Sequence, residues 1–171
     1  EPAFYTAWEV GAEPLPDSIP VGAQFGSTAA GAALHLEDYR VRNDRYGELI
    51  IDMTWRAPQP LTGDLRFYVG MFDPQGNLLH DNIYYQPAPV LWYPTSMWPA
   101  EQRVRVSTLP WQLDAEQFVL AVGVFRGEEG WTSGARLPVT ASAGLPVLED
   151  GALLRLGGFE RTSASTWDVL S

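Results

Sequence analysis

The sequence predicts an all-β fold: a two-sheet antiparallel β-sandwich, jelly-roll or immunoglobulin-like, of about eight to ten strands with little or no helix. Three observations carry this. The 171 residues include 16 glycines and 14 prolines spread along the chain, so no window for a stable amphipathic helix survives except in very short pieces. Several stretches alternate apolar and polar residues with a period of two, separated by turn signals. One stretch, Phe118 to Phe125, is apolar at every position, the pattern of a strand covered on both sides.

Taken in order, residues 1–27 differ in texture. Phe4, Thr6, Trp8 and Val10 suit a strand, while Glu13-Pro14-Leu15-Pro16-Asp17 breaks it, so this part is expected to be an added edge strand or a linker before a sandwich domain at 28–161. Leu34 and Leu36 share one phase but Tyr39 and Val41 the other, which requires a one-residue slip near Glu37-Asp38, a β-bulge. Leu49, Ile51, Met53 and Trp55 point one way and Asp52, Thr54 and Arg56 the other, predicting one packed and one wet face. Leu65, Phe67, Val69 and Met71 repeat the pattern, and Asp73-Pro74-Gln75-Gly76 then suits a type I turn into a hairpin strand from Asn77 to Tyr85. Further strands are expected at Gln102–Ser107, Phe118–Phe125, Arg136–Thr140 and Leu153–Glu160, and the Ser/Thr-rich tail 162–171 is expected to be loosely held.

Composition narrows the function classes. A chain of this length buries about 70% of its unfolded surface and folds without staples. It contains no cysteine, which removes thiol nucleophiles and thiolate metal sites. The net charge is −10 and all 11 basic residues are arginine, a field that repels nucleic acid. No apolar run reaches the roughly 20 residues needed to span a bilayer. Beginning at Glu1, the chain reads as a mature secreted product or a piece of a larger, membrane-anchored protein. No glycine-rich phosphate loop and no G-x-S-x-G elbow occurs, so nucleotide-dependent and serine-hydrolase chemistry fall away.

The order of several short motifs carries a resemblance. Leu34-His35-Leu36-Glu37-Asp38-Tyr39, Glu48 to Trp55-Arg56, Asp73-Pro74-Gln75-Gly76-Asn77, Asp81, Pro94-Thr95-Ser96-Met97-Trp98, Val122-Gly123-Val124-Phe125 and Arg136-Leu137-Pro138-Val139 follow one another along the chain. Together they resemble the extracytoplasmic β-sandwich domain appended to bacterial membrane glycosyltransferases and related cell-envelope proteins. The pattern departs from that family at Ala100, where a glycine would precede Glu101. The resemblance implies an accessory domain outside the cytoplasm, without catalytic residues of its own, working beside a membrane-embedded parent or partner protein.

Candidate sites follow from chemistry. Tyr84, Tyr85, Trp92, Tyr93 and Trp98 crowd a proline-rich loop; such rings stack on sugar faces while Asn82 and Gln86 bond hydroxyls, which predicts a glycan or envelope component as ligand. The competing expectation is that Trp92, Tyr93 and Trp98 fold back as a lid over the open end of the sandwich. Asp81 is in phase with Leu79 and Ile83 and so points inward, where Arg136 is the candidate ion-pair partner. His35 and His80 are too few for a histidine metal site, and no cofactor is expected; calcium is the one possible metal, with Asp38, Asp44 and Glu48 as weak candidates. Two alternatives stand beside glycan binding. One is a structural or protein-interaction module docking through a sheet face with Ile50, Tyr68 and Phe72. The other is a glycan hydrolase with paired carboxylates among Asp52, Asp73, Asp81, Glu101 and Glu128.

Overall fold

The computed structural model describes residues 8–83, 93–141, 144–148, 151–164 and 166–170. Two antiparallel sheets pack face to face. The first joins β1 (Trp8–Val10), β7 (Arg103–Ser107), β4 (Leu49–Arg56), β3 (Ala32–Asn43), β2 (Ile19–Ser27) and β10 (Val139–Thr140), in that order. The second runs β11 (Val147–Leu148), β12 (Leu153–Ser163), β8 (Gln117–Arg126), β5 (Leu65–Phe72), β6 (Leu78–Asp81), with β13 (Thr166–Val169) paired to β12 and β9 (Ala135–Arg136) to β8. Helix among the described residues is limited to a 3-10 turn, Thr95–Met97, and one α turn, Gly130–Ser133. No helix there is long and apolar enough to cross a membrane.

The period-two residues fill the space between the sheets. Leu49, Ile51, Met53 and Trp55 of β4 meet Leu65, Phe67, Val69 and Met71 of β5 in one core with Phe118, Leu120, Val122 and Val124 of β8. The bulge lies where the phase demands it, between Leu36 and Asp38, so Leu34, Leu36 and Tyr39 all reach the core. Asp73 closes the β5–β6 turn by accepting bonds from the backbone N–H of Gln75 (2.9 Å) and Asn77 (2.8 Å), with Gly76 at φ +90.

Four expectations are corrected. β4 has no wet face: Ile50, Asp52 and Thr54 are buried with the rest, because arginines from the neighbouring strand roof over Asp52. The strand expected at Arg136–Thr140 is split, since the chain leaves the second sheet after Arg136 and enters the first at Val139. The segment before residue 28 is no mere extension. β1 is the added edge strand expected there, beside β7, whereas β2 is an inner strand of the first sheet with long antiparallel pairing to β3. Nor is the tail loose: β12 and β13 form a hairpin, and Trp167 packs edge-on against Phe118 (4.8 Å) while donating to Asn43 Oδ1 (2.9 Å). Short strands such as β9, β10 and β11 account for the excess over the expected number.

β8 shows why an all-apolar strand is needed. One face enters the main core; the other carries Ala121 and Phe125 into a second apolar cluster with Tyr68, Trp131 and Leu153. Trp131 lies flat on Tyr68 (4.7 Å, 12°) and directly over Gly123, where a Cβ would stand 2.2 Å from the indole. Glycine is the residue that leaves room for that ring.

Candidate functional site

Among the sequence-predicted aromatics, Trp98 is 3% exposed; it stacks on Phe67 at 6.1 Å and donates its indole N–H to Tyr93 O at 3.0 Å. Tyr93 packs half-buried against the same core, and its hydroxyl bonds Met97 O at 3.3 Å. Thr95 is buried between them and accepts from Leu65 N at 2.7 Å. Tyr93 and Trp98 therefore fold back onto the core, and Trp98 offers no face to a ligand; Trp92, the third ring of the lid reading, lies outside the described residues. Asn82 is 0% exposed: its amide accepts from Val69 N (2.8 Å) and donates to Phe67 O (2.9 Å), so it extends the β5–β6 ladder past the end of β6. Both are corrected from ligand-binding to structural residues. Tyr84, Tyr85, Gln86 and Trp92 lie outside the described residues.

The expected Asp81–Arg136 pair is not made. Asp81 accepts from the Tyr68 hydroxyl (3.3 Å) and Ile83 N (3.1 Å). Arg136 donates Nε to Trp131 O (2.8 Å) and lies over that indole at 4.4 Å. Register explains the miss. Asp81 faces Gly70, which faces Ala121, whereas Arg136 faces Phe125, four positions further along β8 and about 13 Å away at the rise of a strand.

Of the other carboxylates considered for hydrolysis, Asp52, Asp73 and Glu101 are occupied by structure, while Glu128 stands exposed after β8. Asp52 accepts from Arg40 Nη2 (2.8 Å), Arg42 Nε (2.7 Å) and Ser107 Oγ (2.7 Å). Burial pushes its carboxyl up, but the bonds from Arg42, Ser107 and Arg40 outweigh it and hold the group below its ordinary value. Glu101 accepts from Arg56 Nη1 (3.0 Å), and Arg56 also holds Glu37 (2.6 Å). Ile50 and Tyr68, proposed to share a docking face, are buried and belong to different sheets, so that face does not exist.

The three weak calcium candidates are not gathered. Asp38 sits on β3 against Arg103 (3.2 Å), while Asp44 spends Oδ1 on the N–H groups of Tyr46 (2.8 Å) and Glu48 (2.9 Å) in the β3–β4 turn. Among the described residues no three His, Cys, Asp or Glu side chains group as metal ligands.

That same turn builds the most suitable binding geometry on the described surface. Asp44 fixes its backbone and Gly47 closes it at φ +80, so Tyr46 is thrown outward and is 68% exposed. Arg45 braces the ring, its Nη2 2.6 Å from the tyrosine oxygen and its guanidinium carbon 4.7 Å from the ring centre. Tyr46 borders a polar cavity of about 300 Å³ lined also by Glu48, Gln112, Asp114 and Arg161. Its second wall is the β7–β8 connection, pinned where Trp111 and Leu49 exchange backbone bonds of 2.7 and 2.9 Å. Its third is the β12–β13 hairpin, where Arg161 donates to Leu113 O and lies 4.9 Å over the Trp167 ring.

The sequence reading passed over Tyr46, Gln112, Asp114 and Arg161 and took Glu48 only as a metal candidate. A local signal existed for one of them: an aromatic inside Asn43-Asp44-Arg45-Tyr46-Gly47, a turn with no apolar neighbour to bury it. No family model, no curated protein and no solved structure matches this chain.

Proposed function

We propose that this β-sandwich is a non-catalytic carbohydrate-binding module. It acts outside the cytoplasm as an accessory to an envelope or extracellular glycan system, and the cavity beside Tyr46 is its binding site. The observation that carries the reading is the placement of an outward tyrosine ring against a cavity lined by two carboxylates, an amide and a guanidinium. A sugar presents one apolar face for an aromatic ring and a rim of hydroxyls for such groups. About 300 Å³ is at the small end of ligand pockets, which suits one or two sugar residues. Asp52, Asp81 and Glu101 are each committed to neighbouring groups, and the non-catalytic reading rests on the family resemblance. The location rests on the family resemblance alone.

The test is a glycan array followed by titration calorimetry on the hits, with wild type and Tyr46→Ala. Losing the ring lowers affinity by about tenfold or less, the worth of one aromatic stack, and leaves the melting temperature unchanged because the exposed ring touches the surface Arg45 and lies outside the core. No binding by the wild type across a broad panel removes the proposal.

One observation favours a second reading, protein interaction. On the outer face of the second sheet, a groove of about 180 Å³ is floored by Phe72, Val119, Ala121 and Leu153 and edged by Leu148 and Arg155.

A further inference from the structure

We infer that the groove on the outer face of the second sheet seats a second copy of this chain, docked face to face about a two-fold axis. This rests on the protein-interaction reading, names its partner, and is independent of the glycan site. The floor of the groove is Val119 and Ala121 of β8. Leu148 and Arg155 stand on one side, on β11 and β12, and Phe72 and Asp73 on the other, where β5 ends. From β12 to β5 is two strand spacings, about 10 Å.

The two sides carry opposite charge. Among the described residues neither Arg155 nor Asp73 belongs to an ion pair. Asp73 accepts from amides of its own turn, which fix the carboxylate without cancelling its charge. A simple cation or anion would meet a like charge inside the groove. A copy turned by a two-fold rotation instead brings its Arg155 over Asp73 and its Asp73 over Arg155, the self-complementarity that an isologous contact requires. The same rotation carries Leu148, 46% exposed, over the Phe72 side of the facing copy, so a projecting apolar side chain enters an apolar trough twice. Leu78, 52% exposed and opposite Phe72 in register, extends the contact toward the roughly 800 Å² per partner of a stable interface. The net charge of −10 on each copy opposes association, so the dimer is expected to be weak.

Sedimentation velocity of the whole chain from micromolar to millimolar concentration, the dissociation range of weak complexes, reads the association directly. The expected result is a reversible equilibrium between monomer and dimer. Leu148→Glu should weaken it by at least about tenfold, because the buried leucine counts twice in the dimer. Arg155→Glu and Asp73→Arg should each weaken it by about fivefold, since each sets two like-charged pairs face to face. An equimolar mixture of those two variants should associate as tightly as wild type, because every heterodimer then holds two opposite pairs. Leu148 and Arg155 are exposed, so their variants should melt with wild type, and they decide the question on their own where Asp73→Arg loosens its turn. A dimer that Leu148→Glu and Arg155→Glu leave untouched overturns the inference. A wild type that stays monomeric but captures another protein, with Leu148→Glu losing that capture, overturns the second copy and keeps the protein-interaction reading. A monomer at every concentration with no capture that depends on Leu148 removes both.

Discussion

At the scale of single residues, the fold depends on polar groups whose partners are fixed by register. Asp52 is the clearest case: a buried carboxylate held by two arginines and a serine. Replacing it with alanine strands Arg40 and Arg42 and is expected to cost about 3 kcal/mol in urea unfolding, the typical result of breaking a buried pair. Its pH dependence has a definite sign. Bonding holds the folded carboxyl below its unfolded value, so the stabilisation is complete above about pH 4 and is lost as pH falls through the folded value. His35 adds to the trend: burial and then Arg56 lower its pKa, so acidification favours the unfolded chain there as well. Wild type is therefore expected to lose urea resistance steeply below pH 4, and Asp52→Asn to lose less over the same interval. Two further substitutions read the packing. Trp98→Ala should cost about 3 to 5 kcal/mol, as large core truncations do, where a ligand-facing ring would cost almost nothing. Gly123→Ala drives a methyl into Trp131 and should destabilise by about 2 kcal/mol with a changed near-ultraviolet signal; in a Trp131→Ala background that cost should largely vanish.

At the scale of elements, strands were legible because burial imposes a period of two, and the phase change after Leu36 was enough to place a bulge. The two-sided burial of β8 was legible for the same reason, as no polar residue interrupts it. What failed depends on pairing between distant strands. Asp81 and Arg136 belong to one sheet, but no local pattern states that Gly70 faces Ala121 while Phe125 faces Arg136. The crossing of the chain from one sheet to the other at Leu137-Pro138 is equally invisible locally, since both halves read as strand. The Tyr46 cavity was missed on the same ground: its walls come from residues near 46, 113 and 161, and only the folded topology brings those loops together. The tail is an element with a testable role. Trp167 bridges β13 to Phe118 of the core and to Asn43 beside the cavity, so Trp167→Ala should free the β12–β13 hairpin. Hydrogen exchange should then rise in 161–170 with little change in β4 or β5.

At the scale of the whole molecule, charge is distributed unevenly. Arginines and carboxylates pair across the outer face of the first sheet, from Arg40, Arg42 and Asp52 to Arg56, Arg103, Glu37 and Asp38. That face is close to neutral, so among the described residues the excess of acidic side chains lies elsewhere. Such a field discourages polyanions and concentrates cations. The central claim is that the β3–β4 turn, with its outward tyrosine, is the working end of the domain. Calorimetric titration of wild type and Tyr46→Ala with the best-binding oligosaccharide from a broad panel tests this most directly. The account predicts saturable wild-type binding that weakens by about tenfold or less in the variant, with melting temperatures that coincide. Equal affinities for the two proteins, or no oligosaccharide bound by either, would contradict it.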